Sequence, residues 1–323
     1  MRREYAPVAA MAVLLVASQV VAIALSPLFQ GSGFQAFPNP SDVTNTAIYI
    51  ILILVFTAVI LGLVRYRRQK LAKYVIIASI FVTLAFVLLL PLYYGLYYGT
   101  GQNQDPNFQN LLANVATLLS FAVAAVLVYL LVKFPEWYVV DTIGFVTAAG
   151  VTAILGISFG LLPAILLLLA LAVYDAWAVY RTKHMITLAD ELTSQRLPIL
   201  LVIPKKAGYS FREQKSLKGQ IAAGEEREAM FIGLGDLIIP GILSVSAFTF
   251  LNDPTLLGRS FGPVAPFMTV ALGTVIGSLA GFFVLMRYVL KGNPQAGLPL
   301  LNGGALLGFL ATSLLVYGTI HIV

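Results

Sequence analysis

The sequence predicts an all-α polytopic membrane protein, built as a bundle of nine transmembrane helices. Its 323 residues are 59% hydrophobic and only 11% charged, whereas about 25% of the residues of a soluble protein are charged. The apolar residues fall into runs close to the roughly 17–25 residues that cross a hydrocarbon core of about 30 Å. The basic residues gather in alternate connecting segments, which is the pattern that the positive-inside rule describes.

The predicted spans follow one another along the chain. The first follows Arg2 and Arg3 and is longer than the roughly 7–15 apolar residues of a signal peptide, so we interpret it as a retained span. The nine spans are Ala6–Phe29, Thr46–Val64, Lys73–Tyr94, Phe108–Val132, Trp137–Leu155, Ser158–Tyr180, Ala229–Leu251, Pro263–Tyr288 and Leu298–His321.

The charge pattern predicts the orientation. If the N-terminus lies in the cytoplasm, all of the 20 Lys and Arg residues except Arg259 fall in cytoplasmic segments. Eight spans, or an inverted chain, would scatter these charges over both sides. We therefore expect a multi-pass protein of the cell membrane with a cytoplasmic N-terminus and an external C-terminus.

The spans divide the chain into three parts. Residues 1–180 form a predicted six-span bundle, residues 181–228 a cytoplasmic loop, and residues 229–323 a three-span part. Within the loop, the apolar run Leu197–Pro204 is too short to span and is bounded by prolines. It is interpreted first as a segment lying on the membrane surface. The second interpretation is an edge strand that could receive an extended peptide by β-augmentation.

Small residues recur at a spacing of four in the last two spans. Gly273, Gly277 and Gly281 lie in the eighth span, and Gly304 and Gly308 lie in the ninth. Glycines four residues apart bring two helix backbones close together in membranes. We therefore predict that these residues form helix-packing seams.

Two carboxylates stand in otherwise apolar spans. An Asp at the centre of a membrane helix costs about 2.5–3.5 kcal/mol on translocon scales, so such a residue indicates function. Asp175 precedes Arg181 by six residues, and Asp236 follows Ala229 by seven. At 1.5 Å per residue both lie roughly 10 Å inside the cytoplasmic ends of antiparallel spans. We expect the two carboxylates to meet at one level.

Two carboxylates close together in a low-dielectric site share a proton, because they do not readily ionise together. Such a pair supplies a general base for water and a general acid for a peptide carbonyl. Gly233 and Gly235 flank Asp236 and remove side-chain bulk, and Pro240 is predicted to loosen the helix at the acid. The stretch Gly297–Gly304 predicts a second break, beside a cavity at the same depth.

Other classes of function have weaker support. A proton-coupled transporter or cation leak could use the two acids as a relay, but no inverted repeat places equivalent breaks in both halves. The chain has no cysteine and no cluster of metal ligands, so neither a metal nor a cofactor is predicted. No basic face suggests nucleic-acid binding. The Gly156–Gly160 segment matches G-x-S-x-G but lies on an outer hairpin without a histidine partner.

The residues Tyr174-Asp175 and Gly233-Leu234-Gly235-Asp236 resemble the paired motifs of the presenilin and signal peptide peptidase group, the GxGD-type intramembrane aspartyl proteases. The resemblance covers the whole chain and is greatest to the presenilin homologues of archaea. It implies a presenilin-like helical bundle that hydrolyses peptide bonds within transmembrane segments, with Asp175 and Asp236 as the catalytic pair. Tyr174 and the residues Gly233, Leu234 and Gly235 would shape the site.

The resemblance extends to a third motif. The group carries Pro-Ala-Leu at the ninth span, and the best match here is Pro299-Leu300-Leu301, with Leu in place of Ala. These three residues are implied to contact substrate. The implied partners are a transmembrane substrate and the lipid bilayer. Eukaryotic presenilins act with partner subunits, whereas this sequence leaves homo-oligomers and accessory subunits open.

Overall fold

The computed structural model describes residues 2–66, 68–182, 200–206, 208–211, 228–260, 263–291 and 295–322. Within these ranges the chain forms nine α-helices, a π-helical turn and two strands. The helices are α1 (Arg2–Gly31), α2 (Thr44–Arg65), α3 (Gln69–Gly99), α4 (Pro106–Lys133), α5 (Trp137–Ser158), α6 (Leu161–Trp177), α7 (Leu234–Phe250), α8 (Pro266–Val289) and α9 (Leu298–Tyr317). The π-helical turn Ala178–Thr182 extends α6, and the strands are β1 (Leu200–Pro204) and β2 (Ala229–Gly233).

The predicted nine-helix membrane bundle is confirmed. In the described part of the chain, eight helices are long and apolar enough to cross a membrane. The remaining helix, α7, has 17 residues, which gives it a length of about 25 Å. The predicted start of the seventh span at Ala229 is wrong, because residues 229–233 form β2 instead of a helical turn.

The two strands form an antiparallel pair that the all-α prediction omitted. Leu200 lies opposite Gly233 and Pro204 opposite Ala229. β1 lies inside the predicted cytoplasmic loop and β2 follows directly after it, so their pairing holds part of the loop beside the start of α7. The interpretation of Leu197–Pro204 as a surface segment is therefore wrong for residues 200–204, which form β1; residues 197–199 lie outside the described residues.

Helix α7 lies at the centre of the bundle. It packs against α1, α5, α6, α8 and α9. Its residues Ile242, Leu243, Val245 and Ala247 are completely buried, as expected for a helix that is apolar on all sides. By contrast, few residues of α2 are buried, and its main contacts in the described part of the chain are with α3 and α6. The helix that carries Asp236 is thus held by five neighbours.

A buried polar cluster ties three of these helices together. The Gln19 side chain of α1 donates from Nε2 to Ser278 Oγ of α8 at 3.0 Å. Its Oε1 accepts from Ser244 Oγ of α7, also at 3.0 Å. All three side chains are buried. Interhelical hydrogen bonds of this kind fix helices in register where lipid supplies no hydrophobic drive.

The predicted glycine seams of the last two spans are confirmed, and they face each other. A Cβ on Gly277 would clash with the carbonyl oxygen of Gly304, and a Cβ on Gly308 with that of Gly273. A Cβ on Gly281 would meet the carbonyl of Leu300, near the start of α9. The backbones of α8 and α9 are therefore in direct contact, which places the N-terminal end of α9.

Candidate active site

Asp175 lies two residues before the end of α6, where the π-helical turn Ala178–Thr182 begins. Its side chain is buried, with 8% exposed, although neighbouring Tyr174 and Trp177 are 43% and 57% exposed. Local departures from the α-helical ladder are frequent at functional sites. Asp175 thus points into the bundle from a helix whose adjacent residues face outward.

Asp236 lies in the first turn of α7 and is half-buried. The helix begins directly after β2, with Gly233 in an extended conformation at its N-cap. The predicted depth of Asp236, seven residues into a helix, is therefore wrong. Because β2 replaces the first predicted turns, the carboxylate lies at the junction between strand and helix.

The two carboxylates meet at the start of α9. Asp175 Oδ2 accepts a hydrogen bond from the Leu298 backbone N–H at 3.0 Å, and its carboxylate also interacts with the Gly297 backbone. A Cβ on Gly297 would lie 3.1 Å from Asp236 Oδ1, closer than side chains ordinarily tolerate. Asp175 and Asp236 also interact electrostatically. The structure therefore brings the two predicted acids together around one dipeptide.

The sequence analysis includes Gly297-Leu298 in the predicted break but not as a contact of the two carboxylates, and it places the third motif on the next three residues. Pro299 lies in the first turn of α9, and Leu301 is fully buried against α8. The Leu300 carbonyl faces Gly281 of α8. These three residues therefore pack the start of α9 against α8. One feature of the sequence could have indicated this contact: Gly297 stands directly before Leu298-Pro299, and a side chain at this position would displace the Asp236 carboxylate.

The residues that flank Asp236 point in different directions. Gly235 is exposed, and no described atom lies within 4 Å of the position that a Cβ would occupy. The Gly233 backbone interacts with the Asp236 carboxylate. Leu234 packs toward α5, where a Cβ on Gly144 would lie 3.3 Å from its Cδ2. Open space for another chain therefore lies on the Gly235 side of the acid.

The breaks in the backbone lie near the predicted places but do not extend over all of the predicted residues. Helix α7 continues through Pro240, and α9 continues through Asn302, Gly303 and Gly304. The irregular segments come earlier, at the junction of β2 with α7 and just before Leu298. Glycines 304 and 308 serve the close packing of α9 on α8 and do not end the helix. Both breaks therefore fall at the carboxylates themselves.

A cavity of about 170 Å³ lies far from the two acids. It lies between the N-terminal end of α6 and the C-terminal end of α7, and its lining includes Gly160, Phe250, Asp253 and His321. Asp175 and Asp236 lie at the opposite ends of these helices. Within the described ranges no group of three or more His, Asp or Glu side chains could hold a metal ion.

Comparison with known proteins identifies the family. Residues 11–318 match the family model described as signal-peptide peptidase, presenilin aspartyl protease. The chain belongs to this family. Its members are hydrolases, and this chain is an intramembrane aspartyl endopeptidase. None of the curated proteins matches the chain significantly.

Two solved structures resemble this presenilin-family chain over nearly its full length. Each is a presenilin family intramembrane aspartate protease, and the two were obtained in different space groups. One is 34% identical, covers 96% of this chain and 99% of its own, and superposes with a TM-score of 0.64. The other is 35% identical, with coverages of 95% and 97% and a TM-score of 0.63.

Proposed function

We propose that Asp175 and Asp236 are the catalytic pair of this presenilin-family protease. The observation that carries the proposal is their convergence on Gly297-Leu298 from two different helices, α6 and α7. One shared proton lets the pair act as a unit. One carboxylate takes a proton from water as the water attacks the peptide carbonyl, while the other protonates the carbonyl oxygen.

The β-sheet supports a way to bind an extended substrate. The Lys205 N–H donates to the Glu228 carbonyl at 2.8 Å. Because bonded and non-bonded positions alternate along an antiparallel pair, the backbone groups of every second residue of β1 bond β2. By the same alternation, the backbone groups of Phe231 in β2 point away from β1. An unwound substrate segment would pair there and lead past Gly235 to Asp236. In place of the Leu197–Pro204 run, which the sequence analysis considers for this role, we propose the outer edge of β2 as the receiving edge.

The proposed substrates are transmembrane segments of other proteins, which enter sideways from the lipid. A helix must unwind locally before cleavage, since its carbonyls are otherwise bonded within the helix. The basic residues support a cell-membrane location with the N-terminus in the cytoplasm and the C-terminus outside. The division into residues 1–180, 181–228 and 229–323 fits this scheme, with one catalytic Asp in each membrane part.

The test is cleavage of a tagged single-span substrate by the purified protein in liposomes. Asp175→Asn and Asp236→Asn should each abolish cleavage, because a lone carboxylate does not serve as acid and base together. Both variants should still fold, since removal of a buried charge also removes its desolvation cost. Asp253→Asn is the matched control: Asp253 is exposed in the loop after α7 and accepts a bond from Thr255 N–H at 2.8 Å.

Full activity in either dyad variant would refute the assignment. The same liposomes test the transporter alternative through a pH-sensitive dye. Proton flux that needs both carboxylates, without cleavage of any substrate, would favour a relay. Cleavage that needs both carboxylates, without flux, supports the protease.

A further inference from the structure

The N-terminal end of α5 holds the β1–β2 pair through two carboxylates outside the dyad. Asp141 Oδ1 accepts a hydrogen bond from the Val202 N–H of β1 at 2.7 Å. Glu136 accepts from Ser210 Oγ at 3.0 Å and from the Phe211 N–H at 3.2 Å. Both acceptors lie at the N-terminal end of α5; one of the three donors is in β1, and the other two are in the segment that follows β1.

Asp141 acts on the outer edge of β1. Because alternate residues of β1 bond β2, the Val202 amide points away from β2. An unpaired strand edge invites another strand to pair with it. Asp141 occupies this amide, so β1 is closed to a further strand. In the described part of the chain no side chain bonds the outward backbone groups of Phe231 in β2, which leaves this part of the sheet edge for a further strand.

Glycine at position 144 completes the contact between α5 and the site. A Cβ on Gly144 would lie 2.5 Å from Leu201 Cδ2 of β1 and 3.3 Å from Leu234 Cδ2 at the start of α7. Leu234 comes two residues before Asp236. The face of α5 formed by Glu136, Asp141 and Gly144 therefore contacts both β1 and the first residue of the helix that carries the second acid.

The surroundings of Tyr209 agree with this arrangement. Burial, followed by the charges of Glu228, Asp141 and Glu136, raises the pKa of the Tyr209 phenol above its usual value. Tyr209 also packs in the cluster of Val202, Phe211 and Phe231. The carboxylates of α5 and the residues around β1 and β2 thus form one compact group at this end of the bundle.

We propose that Glu136 and Asp141 are positioning residues for proteolysis. They anchor β1 to α5, and through β1 they hold β2 where it sets the register of a substrate strand against Asp236. The inference rests on the proposed function and goes beyond it, because neither residue touches the reacting atoms. A loosened β1 would let β2 shift, and the substrate would then present neighbouring peptide bonds to the dyad.

The test is a kinetic comparison in liposomes, with mass spectrometry of the products of a tagged single-span substrate. Asp141→Ala should raise KM by roughly tenfold or more, because a loosened β1 lets β2 shift and small misplacements of reacting groups are costly. It should also spread cleavage over adjacent bonds. Asp141→Asn keeps an oxygen that accepts from the Val202 N–H, so it should restore one cleavage position and most of the affinity.

Asp105→Ala is the matched control. Asp105 accepts from the Asn107 N–H at 3.1 Å where α4 begins, at the other end of α4 from Glu136. This variant should lose stability without a change in cleavage position. If Asp141→Ala likewise loses only stability, the positioning role is refuted. If Asp141→Ala does not accumulate, Glu136→Ala carries the same expectations and the same refutation.

Two results distinguish a failure of the positioning role from a failure of the proposed function. If Asp236→Asn cleaves the substrate as well as wild type does, both the proposed function and the positioning role are refuted. If cleavage needs both dyad carboxylates, but Asp141→Ala keeps the wild-type cleavage position and KM, only the positioning role is refuted.

Discussion

Asn302 is the buried side chain that joins α9 to α6. Its Nδ2 donates to the Leu168 carbonyl at 2.9 Å, and the residue is completely buried. Its Oδ1 has no hydrogen-bond partner among the residues that the structure describes. Asn302 follows Leu298 by one helical turn, and Leu298 donates to Asp175. The same two helices are therefore tied once at the dyad and once below it.

Asn302→Leu should separate stability from activity. The change removes one hydrogen bond, worth about 1 kcal/mol, and one unpaired buried oxygen, which costs about 1–3 kcal/mol. The free energy of unfolding should therefore stay constant or rise slightly. The value of kcat should fall roughly tenfold or more, because small misplacements of reacting groups are costly. Thermal unfolding and single-turnover cleavage measure the two effects.

Ser313→Ala is the control for this prediction. Ser313 is buried on the same helix, farther from the dyad, and its Oγ also lacks a partner within the described ranges. Its replacement should leave kcat unchanged and raise the free energy of unfolding slightly, because it removes an unpaired buried hydroxyl. An Asn302→Leu protein with wild-type kcat would show that the tie to Leu168 has no part in placing the site.

At the scale of elements, α9 is located by its backbone contact with α8. The close approach of Gly277 to Gly304 and of Gly281 to Leu300 brings the N-terminal end of α9 beside the helix ends that carry the acids. Van der Waals packing of this kind replaces the hydrophobic effect as the force between membrane helices. The glycine seam therefore supports the site through the position of a whole helix.

Gly277→Ala should push α8 and α9 apart. The new methyl group would meet the Gly304 carbonyl and lie 2.8 Å from the Gly308 Cα, and overpacking of a tight interface costs about 1–3 kcal/mol. We expect a lower unfolding temperature and reduced cleavage, both measured in the same detergent. Gly62→Ala is the matched control, since no described atom lies within 4 Å of its new methyl group on α2. Equal effects of the two variants would contradict the seam's role.

At the scale of the whole molecule, the number of helices and the two acids could be predicted because both depend on local composition. A run of apolar residues identifies a span, and a carboxylate inside it stands out. The β1–β2 pair could not be predicted in the same way, since its strands are distant in sequence and as apolar as the helices. The contact of Gly297 with Asp236 was not predicted, because it depends on the absence of a side chain at that position, which only the packing reveals.

The orientation of the bundle is a prediction that the lack of native cysteines makes easy to test. Ser260→Cys and Lys291→Cys place single thiols at exposed positions on either side of α8. The basic residues predict that Ser260 lies outside and Lys291 in the cytoplasm. A membrane-impermeant maleimide should therefore label only Ser260→Cys in intact cells and both variants in detergent.

The cysteine-free parent protein sets the background of this experiment. Because Lys291 lies at the same end of the bundle as Gly297 and the dyad, labelling of Lys291→Cys in intact cells would move the carboxylates to the outer half of the membrane. Labelling of Ser260→Cys alone would place hydrolysis near the cytoplasmic face, where released fragments enter the cytoplasm. The labelling of these two cysteine variants therefore indicates the side of the membrane on which the protease releases its products.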